Sequence, residues 1–191
     1  MIITIARECG SSGYEIGKGL AEKLGIEFYD KAKLTNLVKE QGNYEEHRDF
    51  FEETPMNSLL YSIAMGMGES TVQSRTFDMI RNLVKGKDFV MIGRCSNYMF
   101  REEPGVTSVF IHAAKDKRIE KVMEAEGLSR KQAEKEVTKT DENRAAFHEH
   151  CTEEQWGAAK HYHLCLDSGA IGVQNAIDVI AQFAKCQSEI Q

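Results

Sequence analysis

The chain alternates between short, continuous runs of apolar residues and longer segments in which apolar residues recur at helical spacing. The short runs are rich in Ile, Val and Phe, and they predict five strands, at residues 2–6, 26–29, 89–92, 107–112 and 162–167. The longer segments predict helices at residues 16–24, 31–38, 70–84, 115–126 and 173–184. This alternation predicts an α/β fold with a parallel sheet, because parallel strands need long crossover connections.

A Gly/Ser turn separates the first strand from the first helix, at residues 9–13. Glycines let backbone N–H groups close around an anion, and the following helix adds the positive end of its dipole. Ser11 and Ser12 would add hydroxyl donors. The chain contains no G-x-x-x-x-G-K-[ST] motif, so the lysine of the usual phosphate-binding loop is missing. The local pattern leaves two interpretations open: a phosphate-binding loop, or a Gly/Ser helix cap that holds no ligand.

Two polar residues come directly after predicted strands. Asp30 follows the second strand and is a natural N-cap for the next helix, and Gly93-Arg94 follows the third strand. In open α/β sheets, ligands bind at the carboxyl ends of the strands. Arg94 is therefore either a ligand-binding residue, the interpretation that its position favours, or a structural ion-pair partner.

Composition narrows the classes of function. The 191 residues suit one domain with a substantial core, and the net charge of −6 argues against a nucleic-acid surface. No apolar run approaches the roughly 18 residues that a membrane span needs, and the first residues do not form a signal peptide. The five cysteines form no C-x-x-C pair, which favours reduced thiols. Together these features predict a cytoplasmic protein.

The order of several motifs resembles the cytidylate kinase family of P-loop nucleoside monophosphate kinases. They are Gly93-Arg94, the strand at Val109, residues 141–145 and Leu166-Asp167-Ser168. Residues 7–17 resemble more closely the bacterial cytidylate-kinase-like branch, whose loop departs from Walker A in a similar way. The resemblance covers nearly the whole chain, except residues 41–70. It implies a single domain (residues 1–191) with a three-layer P-loop NTPase fold and a five-stranded parallel sheet. An inserted helical acceptor cap is expected at about residues 31–70 and a lid at about residues 127–160.

The resemblance assigns the Gly/Ser turn to the phosphates of ATP, with the binding residues Gly10, Ser11, Ser12, Gly13, Tyr14 and Glu15. Gly13 stands where the family has its lysine, and Glu15 stands where it has a magnesium-binding Ser or Thr. A carboxylate suits Mg²⁺, so Glu15 is the candidate metal ligand. Phosphoryl transfer depends on neutralising charge, so another cation must replace the lysine. The candidate cations are Arg7 and Lys18 near the loop and Lys139 and Arg144 in the lid.

The resemblance also places residues at the acceptor and in the lid. Asp30 corresponds to an aspartate near the acceptor nucleotide. Arg94 corresponds to the arginine of a Gly-Arg-Asp motif that holds the acceptor monophosphate, although Cys95 replaces the aspartate. Asp141 and Arg144 match the lid motif Asp-x-x-Arg, whose arginine reaches the transferring phosphoryl group.

A second set of residues has the side chains of a zinc site: His148, His150, Cys151, His161, His163 and Cys165. The H-x-H pattern points both rings the same way only on a strand, whereas His148 and His150 lie in a predicted helix. We therefore expect exposed lid histidines and a core Cys165 rather than a metal site. The methionines of residues 56–67 predict cap core or an interface.

The sequence thus predicts a cytidylate kinase-like enzyme that uses ATP and Mg²⁺ to phosphorylate a small acceptor, most simply CMP. Arg144, Asp141 and Arg7 are the predicted catalytic residues. The expected partners are small-molecule nucleotides, with neither nucleic acid nor membrane. The second hypothesis is a nucleotide-binding regulatory module without turnover. The missing lysine favours that hypothesis, and the retained Arg144 counts against it.

Overall fold

The computed structural model describes residues 1–52 and 69–190, and within them five parallel strands form one sheet. The strands are β1 (Ile2–Arg7), β2 (Glu27–Tyr29), β3 (Phe89–Ile92), β4 (Val106–His112) and β5 (Leu164–Asp167), in the order β2-β3-β1-β4-β5. β1 is central, with Ile3 opposite Val90 of β3 and Ile5 opposite Val109 of β4. All five predicted strands are confirmed. β5 begins two residues later than predicted, because the Tyr162 N–H still bonds to the Ala159 carbonyl of a preceding 3₁₀ turn.

The helices connect the strands and flank the sheet. They are α1 (Gly13–Leu24), α2 (Lys31–Glu40), α3 (Tyr44–Glu52), α4 (Glu69–Val84), α5 (Ser96–Met99), α6 (Lys115–Glu126), α7 (Arg130–Thr152), α8 (Ser168–Ile171) and α9 (Val173–Ile190). Gly25 and Gly127 end α1 and α6 with left-handed backbone, as their glycines predict. Asp30 caps α2 by accepting from the Lys33 N–H at 2.8 Å. The methionine cluster at 56–67 lies outside the described residues.

The core lies in two layers, one on each face of the sheet. Successive strand residues point to opposite faces. Val90 and Ile92 therefore join α1 and α9 in one cluster, whereas Phe89 and Met91 join α2, α3, α4 and α5 in the other. Strands buried on both faces explain the continuous apolar runs. The result is a three-layer α/β architecture that brings the ends of β1 and β3 to the same edge of the sheet.

A third, smaller apolar cluster fixes α7 against α6. Its buried members are Ile119 and Val122 of α6 with Ala133 and Val137 of α7. This contact directs the middle of α7 across the loop that follows β1, and so it brings Asp141 and Arg144 to that loop. Over the described ranges, none of the helices combines the length and apolar character needed to cross a membrane.

Candidate active site

Hydrogen bonds within the loop after β1, and from a neighbouring segment, fix the conformation of this loop. Gly10 and Ser12 both have left-handed backbone, with φ of 75° and 57°. The Ser11 hydroxyl donates to the Glu8 carbonyl at 2.9 Å, and the Ser11 carbonyl accepts from the Ser168 hydroxyl at 2.7 Å. Ser11 therefore shapes the loop and has no hydroxyl hydrogen left for a ligand in this arrangement. The Ser12 side chain makes no cap to α1, so the first-turn N–H groups face outward without a side-chain acceptor. This end of α1 can accept an anion.

The side chain of Arg7 runs from the end of β1, past the start of α1, to the loop after β3. Two glycines make room for it. A Cβ atom on Gly13 would lie 2.5 Å from the Arg7 Cβ, and a Cβ atom on Gly93 would lie 2.5 Å from the Arg7 Nη1. Real Cβ atoms do not approach other atoms so closely, so a lysine at position 13 and the observed Arg7 side chain exclude each other. The Arg7 stem thus occupies the space that a side chain at position 13 would need, and its guanidinium places a positive charge at the loop after β3.

Arg94 is buried beside this guanidinium, with only 7% of its surface exposed. Its Nη1 donates to the carbonyls of Phe50 at 2.9 Å and Phe51 at 3.2 Å, at the end of α3. Gly93, Arg94 and Cys95 all have left-handed backbone, with φ of 73°, 58° and 53°. Such strain in non-glycine residues concentrates at functional sites. A carbonyl oxygen holds a guanidinium in place without cancelling its charge.

Arg144 approaches from α7 and completes a group of three arginines. Its Nη1 donates to the Arg7 carbonyl at 3.1 Å. Arg7, Arg94 and Arg144 line one cavity of about 30 Å³, and the described residues around it include neither Asp nor Glu. Closely spaced guanidiniums repel one another, and an anion bound between them offsets this repulsion. The cavity, which we call the three-arginine cavity, is therefore suited to an anion.

Asp141 has a different environment from Arg144. Its Oδ1 accepts from the Cys9 N–H at 2.7 Å, and its Oδ2 accepts from Arg118 Nη1 at 2.5 Å. Arg118 also donates to the Cys9 carbonyl at 3.1 Å, and its Nε lies 3.2 Å from Glu8 Oε2. Asp141 therefore fastens α7 to the loop. The sequence reasoning missed Arg118, and no local signal distinguishes it from the many charged residues of α6.

Arg118→Met should destabilise the protein by about 3–5 kcal/mol, because it leaves the carboxylates of Glu8 and Asp141 together without a cation. Urea unfolding followed by circular dichroism measures this loss. The matched control is Arg130→Met, which breaks an exposed pair with Asp116 and should cost less than about 1 kcal/mol. Equal stability losses in the two variants would show that the Arg118 cluster does not hold the loop.

The remaining loop residues contact neighbours on either side. The Tyr14 hydroxyl donates to Asp30 Oδ2 at 3.1 Å, and this bond raises the pKa of Tyr14. Glu15 pairs with Lys121 of α6 at 3.2 Å, and both side chains are about half exposed. Lys18 and Lys139, the other two candidate cations, are exposed. Of the four candidates, Arg7 and Arg144 reach the three-arginine cavity and the two lysines do not line it.

The expectation for the histidines and Cys165 was wrong in two places. His148 is buried because it lies one turn after Arg144 on the side of α7 that faces the sheet, and Cys165 is exposed on β5 at the edge of the sheet. Burial lowers the pKa of His148 to about 4, with a smaller contribution from His161. All five cysteines lie in the described residues, and none of them forms a disulfide there. In the part of the chain that the structure describes, no three His, Cys, Asp or Glu side chains are grouped as metal ligands.

Several solved structures are similar in fold to this chain. An uncharacterized protein from Eubacterium ventriosum ATCC 27560 is similar in structure, with a TM-score of 0.76 and 29% identity over 97% of this chain and 98% of that one. A gluconokinase from Sinorhizobium meliloti 1021 has a TM-score of 0.53 at 13% identity, over 99% of this chain and 96% of that one. A shikimate kinase from Bacteroides thetaiotaomicron has a TM-score of 0.55 at 12% identity, over 97% of this chain and 98% of that one.

The two kinases share the fold with this chain, which confirms the predicted three-layer α/β fold with a five-stranded parallel sheet. No curated protein matches the sequence. The sequence profile of the cytidylate kinase-like family matches residues 2–170, which is most of the chain. The chain therefore belongs to the cytidylate kinase-like family.

Proposed function

We propose that this protein transfers the γ-phosphoryl group of ATP to a small acceptor that carries an anionic group, most simply CMP. The observation that carries the proposal is the three-arginine cavity beside the loop after β1, where Arg7, Arg94 and Arg144 come together from three different elements. The cytidylate kinase-like family supports the reaction class. Transfer between two phosphates brings several negative charges together, so closely spaced cations are the main catalytic requirement.

The donor side of the site is the loop from Gly10 to Glu15 with the start of α1. We expect it to bind the phosphates of ATP because the Ser12 side chain does not cap α1, which leaves the N–H groups of the first turn to an anion. Mg²⁺, when bound, would neutralise phosphate charge, and Glu15 is the carboxylate of the loop that would hold it. Lys121 pairs with Glu15 in this structure, so the metal would take the place of the Lys121 ammonium.

The acceptor side is formed by Arg94, with Asp30 farther along the same edge of the sheet. The two carbonyl bonds from α3 orient the Arg94 guanidinium toward one position. An acceptor phosphate is already ionised at neutral pH, so no general base is needed. Arg7 and Arg144 meet between the donor and acceptor sides, where charge develops on the transferring group.

The experiment that tests the proposal is a coupled assay of ADP formation with ATP, Mg²⁺ and each nucleoside monophosphate in turn, extended to other small anions. We expect ADP formation that depends on one of these acceptors. ATP with Mg²⁺ should also raise the melting temperature, because a ligand that binds only the folded state stabilises it. Binding of ATP without ADP formation for any acceptor would reject the kinase and favour the regulatory module. The Glu15–Lys121 pair at the expected metal position is the observation that favours that second candidate.

The role of Glu15 gives a separate prediction. If Glu15 holds Mg²⁺, Lys121→Met should lower the Mg²⁺ concentration for half-maximal activity by about twofold, because an exposed pair contributes little. Glu15→Gln should raise that concentration by more than about tenfold. A titration of activity with Mg²⁺ at saturating ATP measures both changes. An unchanged Mg²⁺ dependence in Glu15→Gln would remove this residue from the metal site.

A further inference from the structure

Among the described residues that line the three-arginine cavity, His148 is the one with an imidazole. It lies four residues after Arg144 on α7, and residues at this spacing share a face of a helix. Only 3% of its surface is exposed, and it lines the cavity with Arg7, Arg94 and Arg144. Its position puts a polar ring at the back of a site that the proposed reaction would fill with an anion.

The Nε2 atom of this ring is buried and has no hydrogen-bond partner among the described residues. Buried polar atoms are almost always paired, and an unpaired one costs about 1–3 kcal/mol. A group that joins the cavity would remove this cost. The cavity volume of about 30 Å³ has room for about two oxygen-sized groups, since a water-sized probe needs roughly 10–15 Å³.

The charges of the side chains around the cavity determine which kind of group can bind there. Among the described residues, the titratable groups that line the cavity or face His148 are Arg7 from β1, Arg94 and Cys95 from the loop after β3, Arg144 from α7 and His161 from the 3₁₀ turn. Burial, with a smaller contribution from His161, lowers the pKa of His148 and keeps the imidazole neutral at neutral pH. The oxygens of a carboxylate or a phosphate dianion only accept hydrogen bonds, so Nε2 must carry the hydrogen when such a ligand is bound.

We propose that His148 is an acceptor-binding residue, whose Nε2–H donates to an oxygen of the anionic group that the three arginines hold. The inference rests on the proposed function and adds to it a class of acceptor: a molecule whose anionic group places two oxygens in the small three-arginine cavity. A phosphate monoester and a carboxylate share this chemistry, and the experiment separates them.

The first arm of the experiment is nitrogen-detected histidine NMR of the wild-type protein, assigned through bonds. The probes are CMP, inorganic phosphate and acetate, each added alone. We expect the His148 Nε2–H resonance to shift saturably with phosphate and CMP if the acceptor is a phosphate ester, or with acetate if it is a carboxylate. A saturable shift needs no turnover, so this arm can succeed even if the protein is not a kinase. A resonance that does not move with any probe would overturn the inference and leave a buried water as the partner of Nε2.

The second arm uses two variants that separate hydrogen bonding from packing. His148→Phe keeps a ring of similar size and removes the nitrogen, and His148→Gln keeps an amide donor near the position of Nε2. We expect the KM for CMP to rise about tenfold in the first variant and to stay within about threefold in the second, with the KM for ATP unchanged in both. The control is His150→Gln, an exposed position on the same helix. Equal effects of His148→Phe and His148→Gln would show a packing role and contradict the inference.

Discussion

Replacing Arg7 by Met should lower kcat by about 10²–10³-fold and weaken ATP binding much less, by about tenfold at most. A preorganised positive group contributes about this much to kcat when it faces charge that develops in the transition state. The Arg7 side chain passes Gly13 at the start of α1 and its guanidinium lies at Gly93, so we expect it to contact the terminal phosphates of ATP and, more strongly, the group in transfer. Met keeps most of the side-chain volume that Gly13 and Gly93 accommodate. The measurements are steady-state kinetics and a calorimetric titration with a non-hydrolysable ATP analogue.

Lys18→Met is the matched control for Arg7. It removes the same charge from the same region, but Lys18 is exposed on α1 and does not line the three-arginine cavity. We expect kcat within about twofold of the wild type, since an isolated surface charge contributes little. If Lys18→Met lowers kcat as much as Arg7→Met does, then catalysis depends on the net charge near the loop. The position of the Arg7 guanidinium would then have no special role.

Arg144→Ala should lower kcat by about 10³-fold or more and weaken ATP binding far less. An arginine that reaches the transferring group from a mobile segment has an effect of this size in related reactions. Arg144 also donates to the Arg7 carbonyl, so its loss affects the second cation as well. Lys139→Ala, an exposed position of the same helix, is the control and should leave kcat nearly unchanged. Equal losses in kcat and in ATP affinity would contradict a role confined to the transition state.

Much of the fold follows from local patterns in the sequence. The continuous apolar run of residues 89–92 predicts a strand covered on both faces, and the sheet buries both sides of it. Gly25, Gly127 and Asp30 each end or begin a helix where their own chemistry requires it. These features are local because hydrogen bonding and side-chain periodicity act within a few residues. The order of the strands in the sheet depends on long-range packing, and no local pattern in the sequence predicts it.

Several residues of the site were predictable from the sequence, but the contacts between them were not. Arg94 and Arg144 were expected from the resemblance, and both line the three-arginine cavity. The reason for the glycine at position 13 was not visible, because the atoms that exclude a larger residue belong to Arg7, six positions earlier in the chain. Likewise, the polar residues around His148 suggested that its side chain is exposed. It is buried because α7 packs on the sheet. The sequence pattern does not predict contacts between segments that are far apart in the chain.

The missing lysine is the strongest argument against catalysis, and the structure supplies a physical answer to it. A loop with Gly13 has space for the Arg7 side chain, whereas a loop with lysine at that position does not. The cation then comes from the end of β1 and reaches toward the acceptor side at Gly93. A guanidinium has five donors in a fixed plane, so one such group can bind oxygens of two phosphates at once.

A crystal structure with a non-hydrolysable ATP analogue tests this substitution most directly. The account predicts that an Arg7 nitrogen lies within about 3 Å of an oxygen of the two terminal phosphates, with Arg144 on the terminal one. It also predicts that Lys18 and Lys139 stay away from the phosphates. A phosphate chain bound by either lysine, with Arg7 still turned toward Gly93 and out of reach, would contradict the account.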